Sequence, residues 1–137
     1  TVPLMLDESI YGLEDIKRAA ALGASFVKLK LMKMSSLTKL AEGLHLIRDL
    51  GMQPVLGNGV ASDLGCWMEA CVARRTITNA GEMNGFLRQR VPIAATPIAV
   101  RRGSMQLEAG MMTALDDARI AAARVSQMHA GRLSSVK

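Results

Sequence analysis

The chain has 137 residues, half of them apolar and only 3% aromatic, with a formal charge of +5. That length allows one ordinary domain, with a core of Leu, Ala, Val, Ile and Met rather than of rings. The charge is scattered, with short pairs at Arg74-Arg75 and Arg101-Arg102 and no basic run interleaved with aromatics, which argues against a nucleic-acid partner. No apolar run approaches about 18 residues without a charge, so neither a membrane span nor a signal peptide is read. The ten methionines read as adaptable core filler. Cys66 and Cys71 lie on one predicted helix, at a spacing that builds neither a disulfide framework nor a zinc site. Free thiols in a reducing compartment, the cytoplasm, are the simplest account.

In chain order, residues 1–6 read as a buried-type strand running straight into Asp7-Glu8-Ser9. The chain enters that strand almost at once, which reads as a cut within something larger. Leu13, Ile16, Ala19, Ala20 and Leu22 have helical spacing, with Glu14 and Asp15 in the first turn and Gly23 as the stop. Residues 26–31 alternate apolar side chains with lysines and predict a second strand. After Ser35-Ser36, the apolar stripe Leu37, Leu40, Ala41, Leu44, Ile47 and Leu50 predicts a helix ended by Gly51. Residues 53–56 predict a third strand, broken by Gly57-Asn58-Gly59. Ser62 or Asp63 caps a helix through Ala73, and residues 76–80 predict a fourth strand. Strand and helix thus recur roughly every 23 to 25 residues, the rhythm of a parallel sheet.

The rhythm stops at Gly81. Residues 81–96 read as loop, broken by Pro92. Residues 97–101 and 104–108 predict a hairpin across Arg102-Gly103, with Gly103 supplying positive φ. Residues 109–113 predict a turn and residues 115–128 a last helix that starts with Asp116-Asp117. Residues 130–137 are polar and predicted to fray.

The first two strands both finish in charge. In a barrel of parallel strands and helices, the C-terminal strand ends face one rim, where chemistry sits. Asp7 and Lys30 would then be rim neighbours. A carboxylate suits magnesium, a hard cation that takes oxygen ligands. A lysine beside such a cation has a depressed pKa and can act as a base.

Asp7-Glu8-Ser9, then Leu29-Lys30-Leu31-Met32-Lys33, then Gly57-Asn58-Gly59 together resemble the C-terminal half of an enolase-superfamily enzyme. The similarity is to the mandelate-racemase and muconate-lactonizing-enzyme group, which includes cycloisomerases, dipeptide epimerases, and dehydratases or epimerases of proline derivatives. It covers residues 1 to about 127. It implies an α/β fold, the C-terminal part of a TIM-like (β/α)7β barrel. Residues 1–80 would carry strands five to eight, and residues 81–137 a returning capping-domain segment with the hairpin and final helix. Asp7 matches the third carboxylate ligand of Mg2+, and Glu8 follows it as a supporting residue near the metal. Lys30 matches the acid/base lysine, with Lys28 two residues earlier on the same strand face. Asn58 and Gly59, with Gly57, would line the substrate pocket, and Glu82 would contact the substrate. The family's first two metal carboxylates and its partner lysine pair fall upstream of Thr1. Ser35-Ser36 stands where the family has Gly-Gly.

The implied reaction is removal of a proton alpha to the carboxylate of a small amino or hydroxy acid. Racemisation, epimerisation or dehydration would follow. Gly81-Glu82-Met83-Asn84-Gly85-Phe86 resembles the branch acting on hydroxyproline-type acids. Each residue also has an ordinary reading: Asp7-Glu8 as a surface turn, Lys30 as a snorkelling lysine, Gly57-Asn58-Gly59 as a strand-to-helix turn, Glu82 as a solvated charge. A competing expectation is that the chain as it stands is a non-catalytic half-barrel, its open sheet edges pairing with a missing N-terminal half or with a second copy.

Overall fold

The computed structural model describes residues 2–107 and 114–124, and the backbone of residues 126–129 and 132–135. Its centre is a parallel sheet of β1 (Met5–Leu6), β2 (Phe26–Leu29) and β3 (Gln53–Leu56), in that spatial order. Leu6 pairs with Val27, and Leu29 with Leu56. Between β1 and β2 runs α1 (Leu13–Ala21). Between β2 and β3 come the short α2 (Leu31–Met34) and α3 (Leu37–Asp49), and α4 (Asp63–Thr76) follows β3.

Alternation along β2 decides which side chains see the helices. Val27 and Leu29 are fully buried on the helix side, where Leu29, Met34 and Ile16 converge on Gly43 of α3. Lys28 and Lys30 take the other face. Ile16, Leu40, Leu44 and Ile47 complete the core, each worth about 1.5–3 kcal/mol of burial. Both crossover helices end alike. Gly23 and Gly51 adopt φ of 75° and 78°. In each case the next residue's N–H reaches back to the helix (Ala24 to Ala19 O, Met52 to Ile47 O), a Schellman turn that hands the chain to the following strand.

Several expectations need correction. The first strand is only Met5–Leu6, and the second ends at Leu29 instead of residue 31. Lys30 is still extended, and the chain then coils into α2. Residues 76–80 are not a strand. The helix α4 runs on to Thr76, whose hydroxyl donates to Val72 O at 2.7 Å, with Arg74 and Arg75 favourably placed in its last turn. Asn79 then bonds Pro54 O through its side chain, so no ladder forms. Among the described residues, pairing beside β3 returns only at the parallel bridge Gly57–Glu82.

Beyond a 3-10 turn at Gly85–Arg88, the expected hairpin forms as β4 (Ala99–Arg101) and β5 (Ser104–Gln106). Arg102 and Gly103 both have positive φ, the turn that matches strand twist. The last helix, α5 (Asp117–Ala123), is shorter than expected. Its start is held by the Asp116 side chain, and it ends at Arg124, which is extended. Residues 126–129 form a strand, β6 (Ser126–His129), antiparallel to β7 (Arg132–Ser135). The tail expected to fray thus carries a ladder whose backbone groups pair with each other. The turn expected at 109–113 lies outside the described residues. Among the described residues, no helix is long and apolar enough to cross a membrane.

Candidate functional site

Asp7 follows β1, Lys30 follows β2 and Gly57 follows β3, so three C-terminal strand ends meet at one edge of the sheet. There the lysines and carboxylates interlock. Lys30 Nζ lies 2.8 Å from Asp7 Oδ1 and 2.5 Å from Glu8 Oε1. Lys28 Nζ lies 3.2 Å from Asp7 Oδ2 and also donates to Glu82. Both lysines are buried, whereas Glu8 and Glu82 are open to solvent. Five of the expected residues (Asp7, Glu8, Lys28, Lys30 and Glu82) therefore form one cluster.

Lys33, quoted in the motif without a role, belongs with them. One helical turn after Lys30, its ammonium donates to Asp7 O (3.2 Å), Glu8 O (3.0 Å) and Glu8 Oε2 (2.7 Å), and sits 4.9 Å from the centre of the Tyr11 ring. It pins the backbone of the very turn that carries the carboxylates. Nothing in the spacing announced this role, because residues 26–31 read as strand and no helix was expected before residue 37.

Asn58 and Gly59 do not join the cluster through side chains. Asn58 turns into the interior, donating to Glu69 Oε2 at 3.0 Å and Cys66 Sγ at 3.2 Å and accepting from Gly85 N at 2.8 Å. Gly59 faces Met32. Asn58 meets the rim through its backbone, since its N–H donates to Glu82 O. Glu69 was not singled out from sequence, Asp63 was read only as a helix cap, and Gly85 only as part of the segment after Gly81. Glu69 interrupts the stripe Cys66-Ala70-Ala73, and a lone acid inside an apolar stripe was the missed sign. Asp63 is also buried and accepts from Ala94 N at 2.9 Å, tying the segment after the rim to the start of α4.

Electrostatics follow from this packing. Burial pulls the Lys30 ammonium down, but hydrogen bonds to Asp7 and Glu8 outweigh it and raise the pKa. The same balance, with Glu82 and Asp7, raises Lys28. Hydrogen bonds from Lys30 and Lys33 lower Glu8 to about 2. The depressed lysine expected from sequence is therefore not produced by this chain's own groups, which favour the ammonium. Burial pushes the Cys66 and Cys71 thiols up, away from reactivity.

For magnesium the donor set fits in part. Asp7 Oδ1 is buried beside the Lys30 ammonium at 2.8 Å, and a carboxylate oxygen with one such partner keeps a lone pair for a cation. Among the described residues, however, no group of three or more His, Cys, Asp or Glu could hold a metal. Asp7, with Glu8 beside it, supplies one edge of a coordination sphere that needs six oxygens. A cavity of about 600 Å3 lies elsewhere, between α4 and the β4–β5 hairpin, and is lined by none of the cluster residues.

The chain is similar in structure to the muconate lactonizing enzyme from Pseudomonas putida, at 26% identity and a TM-score of 0.79, over 88% of this chain and 35% of that one. It is also similar to an N-succinyl Arg/Lys racemase from Bacillus cereus (20%, TM-score 0.76, 88% and 33%) and to the L-Ala-D/L-Glu epimerase from Bacillus subtilis (19%, 0.70, 78% and 30%). The chain thus spans about a third of the length of these enzymes. No family model and no curated protein matches it.

Proposed function

Because the chain has the mandelate racemase/muconate-lactonizing-like fold of the enolase superfamily, matching the C-terminal part of such enzymes, we propose that it is the C-terminal portion of an enzyme that removes a proton alpha to a carboxylate. The observation that carries this reading is Lys30, buried at a strand end with its ammonium against Asp7 and Glu8. In this proposal residues 1–80 supply the C-terminal half of the barrel, with β1 to β3 as its strands five to seven, and residues 81–137 return to the capping region. The change from parallel sheet to antiparallel hairpins after Glu82 supports that division.

Lys30 is the acid/base group. Its ammonium delivers a proton to the alpha carbon of the bound acid, and its amine removes one. Asp7 gives a magnesium ligand with Glu8 in support, the remaining ligands coming from the rest of the barrel. When bound, magnesium stabilises the negative charge that builds on the substrate carboxylate. Lys28 and Glu82 contact the substrate, and Asn58 and Gly59 line its pocket through their backbone. The substrate is a small amino or hydroxy acid, with proline-derived acids first in line, and the outcome is racemisation, epimerisation or dehydration. Deuterium uptake at the alpha carbon, followed in the complete enzyme with magnesium, tests this. Lys30→Ala should lower uptake at least about 100-fold. Uptake untouched by that substitution would remove Lys30 from the chemistry. This chain alone should show none.

A second reading is favoured by the open edge of β1, which pairs with nothing beyond β2 among the described residues and leaves Leu4 and Met5 half exposed. The isolated chain would be a non-catalytic half-barrel pairing with the missing half or with itself. A solution mass showing a stable monomer would count against it.

A further inference from the structure

Beneath the cluster sits a carboxylate that the proposed reaction does not use. Glu69, on α4, is 2% exposed, yet both of its oxygens are occupied by donors from other segments. Oε1 accepts from Leu31 N at 2.9 Å, and Oε2 from Asn58 Nδ2 at 3.0 Å. Leu31 opens α2, so its N–H has no partner within that helix. Gly85 opens the 3-10 turn and is in the same position; its N–H goes to Asn58 Oδ1 at 2.8 Å. One buried acid therefore satisfies, directly or through Asn58, the first N–H of two short helices.

Those two helices flank the reacting groups. Leu31 is the residue after Lys30. Gly85 lies three residues after Glu82, whose carbonyl is held by Asn58 N. A donor at position 69 could not do this, because Leu31 and Asn58 both present N–H groups. Ionised or not, the carboxyl must act as a double acceptor. Burial at this site raises its pKa, the cost of keeping an acid where an apolar side chain would pack more cheaply.

We propose that Glu69 is a positioning residue, which fixes the backbone at Lys30 through Leu31 N and the Glu82–Gly85 segment through Asn58. This rests on the reading of Lys30 as the acid/base group. The two arms are separable. The Leu31 arm sets the proton-transferring amine and acts on turnover. The Asn58 arm sets the substrate-contacting segment and acts on binding.

Amide hydrogen exchange on the chain itself tests the arms without any need for activity. Glu69→Met removes both acceptors, and the Leu31 and Gly85 amides should exchange at least about tenfold faster while Leu44 and Ile47 in α3 stay within about twofold. Glu69→Gln preserves the shape but leaves one donor without an acceptor, so at least one of those amides should speed up about tenfold. Asn58→Ala should free Gly85 and leave Leu31 protected. Equal acceleration at all four amides in Glu69→Met, or no acceleration at Leu31 and Gly85, would overturn the proposal. So would loss of Leu31 protection in Asn58→Ala. In the complete enzyme, Glu69→Met should lower kcat about tenfold or more, and Asn58→Ala should mainly raise KM. If the unsubstituted enzyme turns over no proline-derived or related acid, the assigned reaction falls, while the exchange pattern still decides the positioning role.

Discussion

The side chain of Lys28 occupies the space that a Cβ on Gly57 would need. Gly57 directly follows β3, and its bareness lets the lysine run along the sheet until its ammonium reaches Asp7 and Glu82. Gly57→Ala should therefore displace a buried ammonium from both partners and destabilise the fold by about 1–3 kcal/mol. Denaturant unfolding checks this, and an unchanged midpoint would mean that Lys28 has room to move aside.

Lys33 holds the carbonyls of Asp7 and Glu8 from below. Lys33→Met keeps the length and apolar stem but removes the donor, and should cost about 1–3 kcal/mol. The Asp7–Ser9 turn should exchange its amides faster as well. If protection in that turn is unaltered, the lysine only packs against Tyr11.

Asp7 balances two buried ammonium groups and has acceptor capacity left over. In the complete enzyme, Asp7→Asn should weaken magnesium binding at least about tenfold, read by calorimetry. Unchanged affinity would take Asp7 out of the ligand set.

Glu69 also makes a prediction about pH. Its folded pKa lies above the ordinary 4.5, so between that value and the raised one the folded state binds more protons than the unfolded chain. Stability must then fall as pH rises through this window and level off beyond it. Glu69→Gln lacks the titration. Its Tm relative to the unsubstituted chain should shift upward as pH climbs from about 4 to about 7. A difference in Tm that stays flat would show that the carboxyl does not change charge there.

Much of this was legible from the residues alone, because apolar spacing reports which face of an element is covered. Alternation across Val27, Lys28, Leu29 and Lys30 placed two lysines on the face away from the helices, and Gly23 and Gly51 marked both helix stops. The strand expected at 76–80 was a different matter. Thr76, Ile77 and Thr78 have strand-like side chains, but the preceding helix absorbs Thr76 and the Asn79 side chain takes the carbonyl that a ladder would have used. The last helix was overextended because Ser126 to His129 has no breaker before it. Glu69 left only a faint sign, its place in the Cys66-Ala70-Ala73 stripe, because its partners come from segments far apart in the chain.

The rim cluster brings Lys28, Lys30 and Lys33 against Asp7, Glu8 and Glu82, three positive groups matched by three negative ones. Such a patch cancels its own far field. On the proposed reading, an arriving acid would gain nothing from these six groups until it is within a few ångströms, where individual partners can be exchanged. The contribution of this surface to capture rate should therefore be nearly indifferent to ionic strength, leaving any discrimination among acids to the close-range reshuffling of ion pairs rather than to long-range attraction.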